Sequence, residues 1–85
     1  MPYHVYILLC EDGSYYTGYA QDVESRFELH KKGHGARYTM LRKPVKIIYN
    51  EKFDNRTDAM KREKEIKSLN HNQKEQLINQ HANSK

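Results

Sequence analysis

The sequence lacks the residues that stabilise secreted, zinc-binding and membrane-spanning proteins. It contains one cysteine, Cys10, so an internal disulfide cannot form and a reducing compartment is expected. That cysteine and five scattered histidines do not make a zinc motif. No apolar run approaches the roughly 20 residues that span a bilayer, and the N-terminus lacks the basic and apolar regions of a signal peptide. Together these absences predict a cytoplasmic protein.

Acidic residues are missing from one long central stretch. No aspartate or glutamate occurs between Leu29 and Asn50, and the whole chain has a net charge of +4. Clustered cations attract a phosphate backbone and release its counterions, so this asymmetry favours a nucleic-acid partner over a merely solvated basic loop. Tyr38, in the same stretch, could stack on a base, although packing within the protein is favoured. The candidate nucleic-acid-binding residues are Lys31, Lys32, Arg37, Arg42, Lys43 and Lys46.

The chain of 85 residues is long enough for one small domain. Its predicted strands lie in the first two thirds of the sequence. Residues 3–10 and 14–20 are rich in tyrosine and apolar residues, and the turn-forming residues 11–14 link them, which is typical of a β-hairpin. Pro44 opens a third predicted strand. The residues expected on one face of that strand are Val45, Ile47 and Tyr49.

Capping residues predict where the longer helices begin. Asp22 is a candidate N-cap for a helix that continues to about Lys32. Asn55 or Thr57 begins a second long helix, which runs to about Leu69. Both helices are expected to pack against the sheet.

The remaining segments are expected to form a loop, a short helix and a tail. Residues 36–43 are predicted to be an irregular basic loop. Asn72 with Glu75 three residues later predicts a capping box for a short last helix. The domain is expected to span 1–81 and a disordered tail 82–85. The predicted fold is α/β (α+β): a three-stranded, mostly antiparallel sheet flanked by helices, in the order ββαβαα.

Glu63 does not fit the pattern of a purely structural helix. At about 100° per residue, its side chain falls between Ala59 and Met60, inside the apolar stripe. A carboxylate in that position is costly unless it is paired or binds a metal ion. Glu63 is therefore either a metal ligand at the base of a cleft or a side chain that bends to solvent or pairs with Arg62 or Lys67.

His30 is the second polar residue on an apolar stripe, since it follows Val23 and Phe27 on the first helix. Such a histidine is either a hydrogen-bonded core residue or a catalytic group. Arg26 lies one turn before it and therefore beside it on the helix. The planar guanidinium suits phosphate oxygens, although an ordinary surface arginine is the alternative.

The chain has seven tyrosines and no tryptophan, and each tyrosine alone is an ordinary strand residue. A two- or four-residue turn would place Tyr6 opposite Tyr19 and point Tyr16 to the other face of the sheet. Only a loop with an odd number of residues, or a bulge, puts Tyr6 and Tyr16 on one face. A site that uses both tyrosines therefore requires an irregular hairpin.

In order and spacing, these residues resemble the GIY-YIG nuclease superfamily, and especially its small stand-alone proteins. The segment His4-Val5-Tyr6 stands where the family has GIY, and Tyr16-Thr17-Gly18 stands where it has YIG. The family's helix arginine matches Arg26, and the histidine or tyrosine one turn later matches His30. Some branches carry a lysine after YIG, where this chain has Tyr19. The family's glutamate pattern matches Ala59, Glu63, Ile66 and Lys67.

The resemblance implies a divalent-metal-dependent endonuclease that cuts DNA with low sequence specificity, in a structure-selective or repair-related role. Glu63 would hold one Mg²⁺ or Mn²⁺ ion, and Arg26 would clamp a phosphate oxygen. Tyr6 or Tyr16 would orient or deprotonate the attacking water, with His30 in support. The alternatives are a catalytically weak nucleic-acid-binding module of the same fold, or an interaction subunit that needs a protein partner.

Overall fold

The computed structural model describes residues 2–83 and arranges them as an antiparallel sheet with helices on both faces. The strands are β1 (Tyr3–Cys10), β2 (Tyr15–Ala20) and β3 (Pro44–Phe53), in the spatial order β2-β1-β3. The helices are α1 (Val23–Lys31), α2 (Arg37–Arg42), α3 (Arg56–Lys67) and α4 (His71–Asn83). The predicted three-stranded antiparallel sheet is confirmed. Among the described residues, no helix is both long enough and apolar enough to cross a membrane.

The hairpin between β1 and β2 has an odd loop. The backbone N–H of Cys10 donates to the carbonyl of Ser14 at 2.9 Å, which leaves residues 11–13 as the loop. Gly13 occupies it with φ of +83°, a conformation that residues with a side chain rarely adopt. The resulting register pairs Tyr6 with Gly18 and Leu8 with Tyr16. Tyr6 and Tyr16 therefore lie on the same face, as a site that uses both requires.

Alternating residues of the central strand supply two separate cores. Val5 and Ile7 pack with Ala59 and Ile66 of α3, and parts of α4 cover the same cluster. Tyr6 and Leu8 face the other way and pack with α1, beginning at the buried Val23. The sheet therefore separates an α3/α4 side from an α1/α2 side.

A bulge in β3 corrects the expectation that Val45, Ile47 and Tyr49 share one face. Ile7 pairs with Tyr49 while Leu8 pairs with Ile47, so Ile48 is an extra residue in this strand. Tyr49 consequently packs on the α3/α4 side and Ile47 on the α1/α2 side. Val45 is 51% exposed.

The two long helices begin as their capping residues predict. The Asp22 carboxylate accepts a hydrogen bond from the backbone N–H of Ser25 at 3.1 Å, and α1 follows it. The Asn55 side chain accepts from the backbone N–H of Asp58 at 2.9 Å, so Asn55 and not Thr57 caps α3.

The cap of α4 differs from the prediction. Asn70 and Gln73 exchange reciprocal hydrogen bonds between side chain and backbone N–H, both at 2.9 Å, so the capping box is two residues earlier than the predicted Asn72 and Glu75. The pattern occurs twice in overlapping frames, and the geometry selects the first. Helix α4 continues to Asn83, into the expected tail, whose last residues 84–85 lie outside the described part.

Helix α2 corrects the prediction of an irregular loop over residues 36–43. It has only six residues, and Ala36 before it supplies no side-chain cap. Because the flanking glycines and Pro44 read as loop signals, the sequence offers no helix start here. The buried Thr39 instead ties α2 to the rest of the domain. The element order is therefore ββααβαα.

Candidate active site

A groove of about 400 Å³ lies at the edge of the sheet beside β2, between α1 and α3. Strands β1 and β2 contribute Tyr6 and Tyr16, α1 contributes Arg26 and α3 contributes Glu63. These residues come from four elements and are separated by up to 57 positions in the chain (63 − 6). The structure therefore brings four of the five predicted catalytic residues to one surface, and the fifth, His30, lies directly behind them.

Tyr6 is the innermost residue of the groove. Its side chain is only 2% exposed, and its hydroxyl lies 2.9 Å from Nε2 of His30. The Tyr6 and Tyr16 rings are 6.4 Å apart between centroids. Burial, and then the neighbouring Tyr16, raise the pKa of the Tyr6 phenol, while Arg26 acts to lower it. Tyr6 is thus a neutral phenol at physiological pH.

Tyr16 is the more accessible tyrosine. Burial and then the charge of Glu63 raise the pKa of its phenol, and Arg26 opposes them. Its ring also contacts His30 at 4.9 Å and Tyr38 at 5.8 Å between centroids. Tyr16 therefore connects the groove to α2.

Gly18 makes the close packing of the two tyrosines possible. A Cβ at this position would lie 2.6 Å from the Tyr6 hydroxyl and 3.1 Å from the Tyr16 ring. Because real Cβ atoms do not approach so closely, any larger residue would displace Tyr6 or Tyr16. The glycine of the Tyr16-Thr17-Gly18 motif is required by space, and no unusual backbone angle is involved.

His30 is buried to 1% exposure, and both ring nitrogens have partners. Nε2 contacts the Tyr6 hydroxyl, and Nδ1 lies 2.7 Å from Oγ1 of Thr39 on α2. Burial, and secondarily Arg26, lower the pKa of the imidazole, so His30 is neutral. Gly35 packs flat against the ring, since a Cβ there would overlap the imidazole atoms. His30 is thus a hydrogen-bonded core residue, as one of its two expected roles requires, and it also contacts a tyrosine of the groove.

Glu63 points into the groove and is partly buried. Its side chain is 19% exposed and pairs with Lys67 one turn later, with 3.5 Å between Oε2 and Nζ. Arg62 pairs instead with Glu51 at 3.0 Å. Met60 is 43% exposed, so the apolar stripe of α3 is narrower than the sequence indicates. Of the interpretations that the sequence left open, the structure shows the ion pair with Lys67. The carboxylate nevertheless lies within the groove.

The single carboxylate of the groove suits a hard cation that keeps most of its bound water molecules. Across residues 2–83, no group of three histidine, cysteine or acidic side chains is arranged to hold a metal ion. Mg²⁺ is commonly held by one or two carboxylates, with waters and substrate phosphates in its other positions. The single carboxylate of Glu63 fits that mode and does not fit a zinc site.

Two arginines reach the groove from opposite sides. Arg26 projects from α1 and is exposed. Arg56, at the start of α3, donates to the hydroxyl of Tyr19 from two nitrogens, at 3.2 and 3.3 Å. The Arg56 guanidinium therefore lies beside Tyr19, the position where some branches of the family carry a lysine, although Arg56 belongs to α3. The sequence patterns did not single out Arg56, because its proximity to Tyr19 is a long-range contact.

Most of the predicted nucleic-acid-binding residues surround the join between α1 and α2. Lys31, Lys32 and Lys43 line an open groove of about 550 Å³ beside His30. Arg37 lies close by, next to Gly33. These cations are exposed, and His30, which lines the groove of the three lysines, contacts Tyr6 of the first groove.

The two other predicted cations are placed differently. Arg42 lies over the Tyr38 ring at 4.4 Å and pairs with Asp12 at 3.3 Å, so Tyr38 packs within the protein as favoured. Lys46 pairs in register with Leu9, which puts it on the α3/α4 side of the sheet. The structure therefore does not bring Lys46 together with the other cations.

Comparison with known proteins places the whole described chain in one family. Residues 2–84 match the model of the GIY-YIG catalytic domain. A UPF0213 protein of Staphylococcus saprophyticus is 47% identical over 78 residues, which cover 92% of this chain and 95% of that protein. A UPF0213 protein of Staphylococcus aureus is 50% identical over 74 residues, covering 87% and 90% of the two chains.

Two solution NMR structures share the fold. A UPF0213 protein from Bacillus halodurans is 44% identical with a TM-score of 0.60, covering 93% of this chain and 84% of that one. A protein from E. faecalis is 40% identical with a TM-score of 0.64, covering 94% and 85%. The resemblance identified from the tyrosine, arginine and glutamate motifs is confirmed.

Proposed function

The chain belongs to the GIY-YIG family, and from this premise we propose that it is a divalent-metal-dependent endonuclease that hydrolyses phosphodiester bonds in DNA with low sequence specificity. The observation that supports this activity best is the groove in which Glu63, Arg26, Tyr6 and Tyr16 meet. A carboxylate is poorly suited to bind a polyanion unless a cation lies between them. Its presence among arginines and lysines favours chemistry over simple binding.

In this proposal Glu63 holds one Mg²⁺ or Mn²⁺ ion, which, when bound, stabilises the charge that develops on the phosphoryl group and the leaving oxygen. Lys67 leaves the carboxylate to make room for it, since their contact is long and half exposed. Arg26 donates to a non-bridging oxygen of the scissile phosphate. Arg56 binds a neighbouring phosphate from the opposite wall of the groove.

The attacking water is handled by the tyrosines. The hydrogen bond between Tyr6 and His30 favours Tyr6 as the residue that takes the proton from water, with His30 as the supporting base. Tyr16 lies nearer solvent and orients the water or the phosphate. A phenolate at neutral pH costs about 4 kcal/mol for an ordinary tyrosine, whose pKa is near 10. Burial raises the pKa of Tyr6 and therefore this cost, so a proton acceptor behind Tyr6 is needed.

The α1/α2 side supplies the binding surface for the DNA backbone. Lys31, Lys32, Arg37 and Lys43 are exposed there and contact phosphates without reading bases. Binding through about four such contacts should weaken steeply as salt is raised.

The test is cleavage of labelled single-stranded, duplex, flapped and branched DNAs with and without Mg²⁺. Glu63→Ala should lose cleavage at least about 100-fold, since even partners that only support a metal ligand cost 10–100-fold. Glu65→Ala is the matched control, because Glu65 lies on the same helix and pairs with Arg62 at 3.4 Å. The control should cleave like the wild type.

One observation favours a second candidate, a nucleic-acid-binding module with negligible turnover: Glu63 already has a cationic partner in Lys67. On this alternative, wild type and Glu63→Ala would bind the DNAs equally and leave them intact. An interaction subunit would show neither binding nor cleavage until a protein partner is added. Equal, metal-independent cutting by both variants would indicate a contaminant and remove the nuclease proposal.

A further inference from the structure

Three side chains from three elements form a buried hydrogen-bonded chain behind the groove. Tyr6 Oη lies 2.9 Å from His30 Nε2, and His30 Nδ1 lies 2.7 Å from Thr39 Oγ1. Thr39 Oγ1 also lies 3.0 Å from the carbonyl oxygen of Ala36. Each of the three side chains is at most 2% exposed, so water does not replace these partners.

With a neutral imidazole, only one arrangement of protons makes all three contacts hydrogen bonds. The Ala36 carbonyl can only accept, so the single hydroxyl proton of Thr39 donates to it. Thr39 Oγ1 must then accept from His30, which requires a proton on Nδ1. A neutral imidazole carries one N–H, so Nε2 is an acceptor and the Tyr6 hydroxyl donates to it.

We propose that Thr39 is a positioning residue that holds His30 as the Nδ1–H tautomer, so that Nε2 can receive the hydroxyl proton of Tyr6. The expected effect of Thr39 on catalysis rests on the proposed nuclease function. The assignment of the His30 tautomer is independent of that function. It also accounts for the presence of α2, because this helix presents Thr39 to the His30 ring, against which Gly35 also packs.

The tautomer determines how a proton leaves the attacking water. The Tyr6 hydroxyl donates a hydrogen bond to His30 Nε2. Its oxygen therefore keeps lone pairs that can accept a proton from a water molecule in the groove. As the water O–H bond breaks, that proton moves to Tyr6, and the Tyr6 proton moves to His30 Nε2. The hydroxide forms the new P–O bond, and the bond to the leaving oxygen breaks with its electron pair staying on that oxygen, which takes a proton from solvent. The imidazolium then returns its proton to solvent through Tyr6. No free phenolate accumulates.

The tautomer can be measured directly in the whole protein. Nitrogen chemical shifts of ¹⁵N-histidine-labelled protein distinguish Nδ1–H from Nε2–H imidazole, and His30→Asn assigns the His30 signals. We expect the wild type to show the Nδ1–H form of His30. An Nε2–H signal in the wild type would overturn the proposal, whether or not the protein cleaves DNA.

Substitutions of Thr39 test its part in the arrangement. Thr39→Val keeps the shape but removes the hydroxyl, so it should lose the pure Nδ1–H signal and lower cleavage about 10-fold or more, a part of the 100-fold or greater contribution of general base catalysis. Thr39→Ser keeps the hydroxyl and should restore both. Thr57→Val, at an exposed position of α3, is the matched control. A Thr39→Val protein with unchanged tautomer would contradict the proposal.

The outcomes separate this inference from the nuclease proposal. An inactive wild type with the Nδ1–H tautomer would refute the nuclease and keep the assignment of Thr39. An active wild type with the Nε2–H tautomer would do the reverse. If Thr39→Val does not fold, the wild-type tautomer and the Thr39→Ser variant still decide the question.

Discussion

The two faces of the sheet use the same strands but different kinds of interaction. On the α3/α4 side, Val5, Ile7 and Ile66 are fully buried and make an apolar core. On the α1/α2 side, Tyr6 and His30 are nearly as buried but are joined by hydrogen bonds. Apolar packing tolerates small changes of position, whereas a hydrogen-bonded chain requires each partner at its distance. The first face is therefore held together by apolar packing, and the second contains the hydrogen-bonded residues of the candidate site.

The comparison extends to a buried threonine on each face. Thr39 Oγ1 has partners in His30 and Ala36. Thr17, opposite Ile7 in the register, is 3% exposed, and among the described residues its hydroxyl is the buried side-chain atom without a partner. Within the part of the chain that the structure describes, the same buried residue type thus has hydrogen-bond partners beside the histidine and has none on the apolar face.

The largest effect is expected from the apolar face. Ile66→Ala should lower the free energy of unfolding by about 2–5 kcal/mol, because it leaves a cavity at a fully buried position. Urea unfolding followed by circular dichroism measures this loss. Ile66→Val is the graded control, with about 0.5–1.5 kcal/mol expected. Cleavage per folded molecule should stay unchanged, and a selective loss of activity would break the division between the faces.

Gly18→Ala should damage the α1/α2 side through steric overlap. The added Cβ would approach the Tyr6 hydroxyl to 2.6 Å, so overpacking should cost about 1–3 kcal/mol of unfolding free energy and displace Tyr6 from His30. Cleavage should fall more than stability accounts for. Gly13→Asn, in the open hairpin loop where nothing lies within 4 Å, is the control and should leave cleavage intact. Normal cleavage by Gly18→Ala would show that Tyr6 need not be held closely.

Asn70→Ala tests the corrected cap on the α3/α4 side. Removing the side chain that accepts from the Gln73 N–H should cost about 0.5–2 kcal/mol of unfolding free energy. Asn72→Ala, at the cap position that the sequence pattern favours, should change it by no more than about 0.5 kcal/mol. Parallel urea melts of the two variants measure the difference. The reverse ranking would restore Asn72 as the cap.

Thr17→Val should stabilise the domain, by about 1 kcal/mol, since it replaces an unpartnered buried hydroxyl with a methyl group. Thermal or urea unfolding provides the measurement, with the exposed Thr57→Val as the control. Thr39→Val should have the opposite sign, because it leaves Nδ1 of His30 without its hydrogen-bond partner. Destabilisation by Thr17→Val would mean that its hydroxyl makes a bond that stabilises the fold.

The smallest effect is the pH dependence that His30 contributes. Its pKa is lower in the folded protein than in the unfolded chain, where it is near 6.5, so unfolding takes up a proton below that pH. The stability contribution is present at pH 7.5 and declines as pH falls below about 6.5. Urea midpoints at pH 7.5 and 5.5 should therefore differ more for the wild type than for His30→Asn. Equal differences would contradict a buried neutral imidazole.

Local patterns were enough to identify most of the candidate site. Short windows of sequence show the apolar stripe that ends at His30 and the two tyrosine motifs. They also show that the carboxylate of Glu63 lies within an apolar stripe. Helix caps at Asp22 and Asn55 are equally local, because each involves a backbone N–H three residues away. The cap at Asn70 was missed since the same pattern is repeated two residues later.

The sequence by itself determined the fold class, because alternation, helical spacing and caps act over a few residues. Its short motifs determined the family and the tyrosine, arginine and glutamate side chains of the groove that those motifs contain. Only the tertiary structure decided which residues meet. The three-residue hairpin loop put Tyr6 and Tyr16 on one face, and the bulge at Ile48 divided β3 between two cores. The packing of separate elements placed Arg56 at Tyr19 and Thr39 at His30. Such contacts depend on where whole elements pack, which no local pattern records.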